Sequence, residues 1–189
     1  MKIIAGRHRG RALDSPDGEN TRPTSARARE ALFNVLAHGI DDFDLNNAVA
    51  ADVFAGAGGL GFEALSRGSK HCIFVDKASD AIKIIQNNAE KFHETDRMTL
   101  IKTDARKLPA FPATAPERCG LFFLDPPYNQ GLVNPAISNL KNQNWLKPNS
   151  IGVVECGKGE KLNLPPEFRI ILTRNYGAAE ITFIRFTAG

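Results

Sequence analysis

From residue 48 onward, short apolar runs alternate with longer stretches in which apolar residues recur every three or four positions. Val49–Phe54, Cys72–Val75, Met98–Ile101, Leu121–Leu124 and Ile151–Glu155 read as buried strands, each a brief apolar run bounded by turn residues. Residues 79–92 place Ala81, Ile82, Ile85, Ala89 and Phe92 on one side, the spacing of an amphipathic helix. Further helices are expected from the glycine-rich turn Gly56–Gly61 to Arg67, stopped by Gly68, and from about Leu132 to Lys141. Two last strands, 168–174 and 179–186, flank Asn175-Tyr176-Gly177 as a hairpin. Such alternation predicts an α/β fold, a mainly parallel sheet with helices on both faces.

Ahead of this pattern, residues 2–5 and 11–13 suggest a hairpin with Gly6-Arg7-His8-Arg9-Gly10 at its tip, and 14–23 read as a loop. A helix is expected from about Ser25 to Ala37, with Thr24 as N-cap and Gly39 as C-cap. Its core face is Ala28, Ala31, Leu32, Val35 and Leu36; Arg27, Glu30 and Asn34 fall elsewhere. We read one domain, 1–189, with an N-terminal extension over 1–44 and a core over 45–189.

Composition changes the picture mainly through charge. The net charge is only +3. Residues 1–29 hold Lys2, Arg7, Arg9, Arg11, Arg22, Arg27 and Arg29 against Asp14, Asp17 and Glu19, a surplus of four cations, so the remainder carries −1. Arginine grips phosphate bidentately and stacks on bases, so this end suits a polyanionic partner; the competing reading is a merely solvated basic arm. Arg29 is also free to pair with Glu30 or a distant acid. The cysteines Cys72, Cys119 and Cys156 are widely spaced in apolar surroundings. With His8, His38, His71 and His93 they form no metal-ligand pattern, so no metal is expected. No apolar run approaches the ~18 residues that cross a bilayer. Charge returns at once after Met1, leaving no signal-peptide core. A cytoplasmic protein without membrane contact is expected.

Two segments carry candidate chemistry. Asp52-Val53-Phe54-Ala55-Gly56-Ala57-Gly58-Gly59-Leu60-Gly61 joins the first core strand to its helix, and Gly56, Gly58 and Gly61 satisfy the dinucleotide pattern Gly-x-Gly-x-x-Gly. That pattern alone fits a nicotinamide enzyme as well as a methyltransferase. Asp52 shifts the balance: a carboxylate at the strand end suits a cationic amino group and repels a pyrophosphate. The cofactor implied is S-adenosyl-L-methionine. Asp76, with Lys77 beside it, ends the second strand where ribose hydroxyls are expected. Asp104, followed by Ala105, ends the third and is a candidate for the adenine amino group. The plainer alternatives are a solvated strand end for Asp76 and a helix cap for Asp104. The cofactor set is therefore Asp52, Phe54, Ala55, Gly56, Gly58, Asp76, Lys77, Asp104 and Ala105. The second segment is Asp125-Pro126-Pro127-Tyr128, which closes the run Leu121–Leu124. Two prolines cannot continue a ladder, so a carboxylate, a rigid turn and an aromatic ring stand at a strand's carboxyl end. That set can hold the exocyclic amino group of a nucleobase; an ordinary strand and tight turn is the alternative.

Together these motifs resemble the bacterial small-subunit (16S) ribosomal RNA guanine-N2 methyltransferases. The likeness runs through Ile4-Ala5-Gly6-Arg7-His8-Arg9-Gly10, Arg22-Pro23-Thr24, Arg29-Glu30-Ala31-Leu32-Phe33-Asn34, the glycine loop, Glu63-Ala64-Leu65-Ser66-Arg67-Gly68, Asp125–Tyr128 and Tyr176-Gly177. The glycine loop and Asp-Pro-Pro-Tyr specify the superfamily; the arginine hairpin with Arg-Pro-Thr specifies the subfamily. The resemblance implies a Rossmann-like class I S-adenosylmethionine-dependent fold, a seven-stranded mostly parallel sheet with a C-terminal antiparallel hairpin. It implies methylation of one guanine N2 in 16S ribosomal RNA, free or in a partly assembled small subunit. Asp125, Pro126, Pro127 and Tyr128 are then catalytic, and Arg7, Arg9, Arg11, Arg22 and Arg27 contact RNA. Two positions differ from the family: Asp76 stands where Glu is more common, and Ala78 where a second acid is common. The alternatives are a DNA adenine-N6 or cytosine-N4 methyltransferase, an NAD-dependent oxidoreductase and a non-catalytic RNA-binding module.

Overall fold

The fold is described by a computed structural model covering residues 1–15, 26–177 and 179–187. Its elements are α1 (Ala26–His38), β1 (Val49–Val53), α2 (Gly59–Ser66), β2 (His71–Asp76), α3 (Ser79–Phe92), β3 (Met98–Lys102), β4 (Cys119–Leu124), α4 (Val133–Asn142), β5 (Leu146–Gly157), β6 (Phe168–Tyr176) and β7 (Ala179–Phe186). One seven-stranded sheet has the order β3-β2-β1-β4-β5-β7-β6. Its strands β1 to β5 run parallel, and β7 pairs antiparallel with both β5 and β6. This is the sheet, with its C-terminal hairpin, that the resemblance implied.

Side-chain alternation along the strands builds two cores. On one face Ala50, Phe74, Leu121, Phe123, Val153 and Phe183 pack with Leu32 and Phe33 of α1, Phe62 and Leu65 of α2, and Ile85 and Phe92 of α3. On the other, Val53, Val75, Phe122, Leu124 and Ile184 pack with Val133, Ala136, Ile137 and Leu140 of α4 and with Trp145. Ile3 and Leu13 join the first core, so the N-terminal segment is cemented to the α1–α2–α3 face. Gly61 lies so close to the sheet that a Cβ there would stand 2.2 Å from the Phe74 ring. Helix α2 can seat on β2 only because that position has no side chain.

Several elements differ from the sequence reading. The N-terminal hairpin contains a single antiparallel bridge, Lys2 to Ala12, rather than two strands. Its tip spends its hydrogen bonds on α2: the Arg7 N–H donates to the Ser66 carbonyl, the His8 N–H to Ser66 Oγ, and the Ile4 and Ala5 N–H groups to the Glu63 carboxylate. Strand β1 stops at Val53, because Phe54 turns left-handed (φ 82). Strand β5 begins earlier than expected, at Leu146, with a register shift against β4. Helix α1 ends one residue later than expected, at His38, and the proposed cap Thr24 lies outside the described residues. Among the described residues, no helix is long and apolar enough to cross a membrane.

Candidate active site

The strand order reverses at β1, which has β2 on one side and β4 on the other. In open α/β sheets a crevice forms at the carboxyl ends of the strands at such a switch point. The register fixes what stands there. Val53 pairs with Val75 and with Leu124, and Leu124 with Val154. One residue further along each strand come Asp76, Phe54, Asp125 and Glu155. The glycine loop and the Asp-Pro-Pro-Tyr turn are thus neighbours at one edge, with no core packing between them.

Asp52 pairs with Phe74 and Phe123 in the row below and is only 2% exposed. Its Oδ2 accepts the Gly61 N–H at 2.8 Å, satisfying one of the free donors in the first turn of α2. Burial pushes its carboxyl pKa up to about 8, and the nearby charges of Asp125 and Asp76 push the same way against the Gly61 bond. Asp76 accepts the Gly56 N–H at 2.9 Å and, through its other oxygen, the Ala78 N–H at 2.8 Å. The carboxylate therefore holds the glycine loop from its neighbouring strand. Lys77 is exposed beside it. The Phe54 and Ala55 N–H groups both donate to the Val75 carbonyl, which pins the loop in its turn. A bulky residue at positive φ is a strained backbone, and such strain gathers at functional sites. Gly56 also has positive φ (54), and a Cβ there would meet nothing within 4 Å, so the loop backbone is open to a ligand.

Asp104 caps the short 3-10 turn Ala105–Lys107 by accepting the Arg106 N–H, and its carboxylate pairs with the Arg106 guanidinium at 2.6 Å. Those bonds hold its pKa well below the usual carboxylate range. Ala105 is buried beneath it. Asp125 is half-buried, Pro126 buried and Pro127 exposed. The Tyr128 hydroxyl donates to Glu155 Oε1 at 2.5 Å, and Tyr128 Cβ lies 3.4 Å from where a Cβ on Gly157 would stand.

The arginines divide. Arg9 and Arg27 are exposed. Arg7 pairs with Glu94. Arg11 lies over the Phe92 ring, 4.6 Å from its centroid, and donates to the Lys91 carbonyl. Arg29 is buried, 3.8 Å from Glu63, so the distant acid is its partner. Arg22 falls outside the described residues.

Three polar residues carry roles that the sequence did not assign to them, Glu63 among them although it opens the segment Glu63–Gly68 that carries the resemblance. Glu63, fully buried, receives Ile4, Ala5 and Arg67 and latches the N-terminus to α2. Its i,i+4 spacing from Arg67 was a readable signal. Asn88, also fully buried, exchanges hydrogen bonds with both backbone groups of Asp14 and donates to the Ala57 carbonyl in the glycine loop. It was visible as a polar residue on the apolar stripe of α3. Glu155 offered no such signal.

Sheet order, switch point and glycine loop define a class I methyltransferase fold. Matching solved structures agree: yhhF from Escherichia coli superposes with a TM-score of 0.84 at 27% identity, covering 100% of this chain and 99% of that one. A Haemophilus influenzae structure superposes at 0.78 with 28% identity, covering 99% and 98%. The family described as Conserved hypothetical protein 95 matches residues 1–185. Ribosomal RNA small subunit methyltransferase D of Haemophilus influenzae is 34% identical over 178 residues, 94% of this chain and 89% of that protein. The Escherichia coli protein of the same name is 36% identical over 157 residues, 82% and 74%. The chain belongs to this family of small-subunit ribosomal RNA methyltransferases.

Proposed function

We propose that the chain transfers a methyl group from S-adenosyl-L-methionine to the exocyclic N2 of a guanine in 16S ribosomal RNA. The observation that carries this reading is the β1–β4 register, which sets the Asp125–Tyr128 turn beside the glycine loop. The residues present fit the cofactor. Asp52 is a buried carboxyl whose ionised form meets no compensating cation among the described residues, as a site for an ammonium group requires. Gly56 offers half-buried loop backbone with open space before it, framed by Phe54 and the buried Ala55 and Gly58, and Asp76 and Lys77 stand where the ribose would lie. Asp104 and Ala105 border the adenine end; with Asp104 committed to Arg106, an adenine amino group would share an already occupied carboxylate.

When bound, S-adenosylmethionine supplies a methyl carbon made electrophilic by its sulfonium. The chain's own contribution is to hold and polarise the acceptor. A nucleobase amino group is a poor nucleophile, because its lone pair is delocalised into the ring. The Asp125 carboxylate and the Pro126 carbonyl would accept its two hydrogens, draw the nitrogen toward tetrahedral geometry and favour the positive charge that develops there. Groups of this kind contribute about 3–4 kcal/mol each, and positioning up to about 7–11 kcal/mol. Tyr128, its hydroxyl tied to Glu155, would present its ring to the extruded guanine. Arg9 and Arg27 are exposed and stand available to RNA phosphate, and Arg7, also exposed, presents a guanidinium that is shared with Glu94.

The test is labelled methyl transfer to 16S ribosomal RNA, free and in partly assembled small subunits, followed by nucleoside analysis. Asp125→Ala is expected to bind cofactor nearly as the parent does and to lose at least about 10²-fold in turnover. Near-normal turnover in that variant, or label on any position other than guanine N2, would defeat the assignment.

A further inference from the structure

Beyond the Asp-Pro-Pro-Tyr turn lies a half-open cavity of about 280 Å³ lined by Asn129, Gly131, Val133, Asn134, Cys156, Glu160 and Lys161. It lies close to the lower bound of about 300 Å³ for small-ligand pockets, suited to a single base and too small for a dinucleotide. Its position is informative. Asp52 and Asp125 extend the strand positions facing the α1–α2–α3 side, whereas Cys156 and Val133 belong to the core on the α4 side. The turn after β4 therefore arches over the sheet edge, with the proposed target site on one slope and this cavity on the other. Tyr128 and Asn129 together cover Gly157 at the crest, 3.4–3.6 Å from its would-be Cβ.

The walls are already assembled. Glu160 Oε2 accepts the Asn129 N–H at 3.2 Å and the Gly157 N–H at 3.3 Å, tying the loop after β5 to the turn after β4. Asn134 Oδ1 accepts the Asn163 N–H at 3.1 Å, tying the start of α4 to the same loop. A ligand entering here has no loop to order, which removes a main cost of binding. The chemistry is an apolar floor (Val133, Cys156), amide side chains able to read a base edge (Asn129, Asn134) and an exposed cation at the rim (Lys161). Single-stranded RNA is recognised by such means, with splayed bases held on their edges and phosphates met by cations.

We propose that this cavity is a subsite for the RNA nucleotide next to the target guanine, with its base against Val133 and the Asn129 amide and its phosphate at Lys161. The proposal rests on the RNA-methyltransferase reading and adds a source of sequence selectivity on the α4 side of the edge. The test compares methyl transfer to small-subunit RNA transcripts carrying each base at the positions flanking the target, presented free and in partly assembled subunits. The parent enzyme is compared with Lys161→Ala and Asn129→Gly, the latter compatible with the positive φ (58) of that residue. Affinity for S-adenosylhomocysteine, read by calorimetry, reports that each variant is folded with an intact cofactor loop. The expected result is a preference of about 10-fold in kcat/KM at one flanking position, falling to about 2-fold or less in Asn129→Gly, while Lys161→Ala lowers kcat/KM by a similar factor for every base, with cofactor affinity retained in both. An Asn129→Gly variant that keeps the parent's preference, a Lys161→Ala variant with the parent's kcat/KM, or a parent indifferent to both flanking bases would overturn the subsite. A parent that binds cofactor and methylates no RNA would overturn the reading beneath it instead.

Discussion

With the ammonium group of the cofactor seated at Asp52, as proposed, binding becomes a proton-linked event. The Asp52 pKa is pushed up to about 8 by burial, with Asp125 and Asp76 adding to the effect. At pH 7 such a group is about nine-tenths protonated. A cationic ligand seated against it favours the ionised form, so binding at pH 7 should expel about 0.9 proton. Below pH 7.5, where the cofactor's amino group remains charged, affinity should rise about tenfold per pH unit, or about 30-fold between pH 5.5 and 7. The same shift has a stability consequence. A carboxyl raised from 3.8 to about 8 on folding stabilises the fold fully below pH ~4 and loses that contribution as pH rises through about 8. The cofactor-free protein should therefore lose Tm between pH 6 and 9, and Asp52→Asn should abolish that slope. Calorimetry of S-adenosylmethionine binding in buffers of different ionisation enthalpy measures the proton directly. A Kd flat from pH 5.5 to 7 with no proton released would refute the placement of a cation at Asp52.

The N-terminal latch gives a stability prediction: Glu63→Ala strands Arg29 and two backbone donors. It should cost about 3–5 kcal/mol and lower Tm by about 6–20 °C; a fall under 2 °C would show the latch to be idle. Asn88→Ala, and Asn88→Asp, which keeps only the acceptor for the Asp14 N–H, should each weaken S-adenosylhomocysteine binding about tenfold by releasing the Ala57 carbonyl; unchanged affinity in both would remove Asn88 from the cofactor loop's support. Replacing Arg9 and Arg27 together by Ala should flatten the log-log salt dependence of RNA binding by about 1.4, and an identical slope would exclude both from phosphate contact.

The centre of the sheet was legible because β1, β2 and β4 are short apolar runs buried on both faces. Where pattern alone decides an element, as for Ser79–Phe92 and Ala179–Phe186, the bounds agree with the structure to the residue. Failures arise where distant partners decide. Phe54 continues an apolar run and reads as strand, yet its N–H and that of Ala55 converge on the Val75 carbonyl and turn the chain. The N-terminal hairpin reads as two strands, yet the donors of Ile4, Ala5, Arg7 and His8 are claimed by Glu63 and Ser66, some 60 positions away, and among the described residues only the Ile3, Gly10 and Leu13 N–H groups bond across it. Counting arginines has the same limit: both Arg7 and Arg9 are exposed, and charge alone does not reveal that Arg7 is engaged by Glu94. The placement of Asp76, Asp104 and Asp125 at or just past strand ends was readable because an apolar run followed by turn residues shows where a strand stops, whereas Asp52 lies one row below the end of β1. Glu155 was not readable, because its importance depends on a tyrosine from another strand's turn.

How the acids are compensated separates scaffold from site. Glu63 and Glu94, both buried, are met by arginines, Arg29 and Arg67 for one, Arg7 and Arg97 for the other. Asp52 and Asp76 at the switch point are held instead by backbone N–H groups of the glycine loop and of Ala78. A backbone donor orients a carboxylate without cancelling its charge, whereas an arginine does both. Crowding such acids raises the cost of ionising Asp52, and stability alone would favour a basic partner or an apolar replacement. With 24 Lys and Arg in the chain, cations are not scarce. Asp52 and Asp76 thus hold the loop in place, and Asp52, protonated in the cofactor-free protein and without a basic partner among the described residues, is the group whose proton an arriving cation would displace.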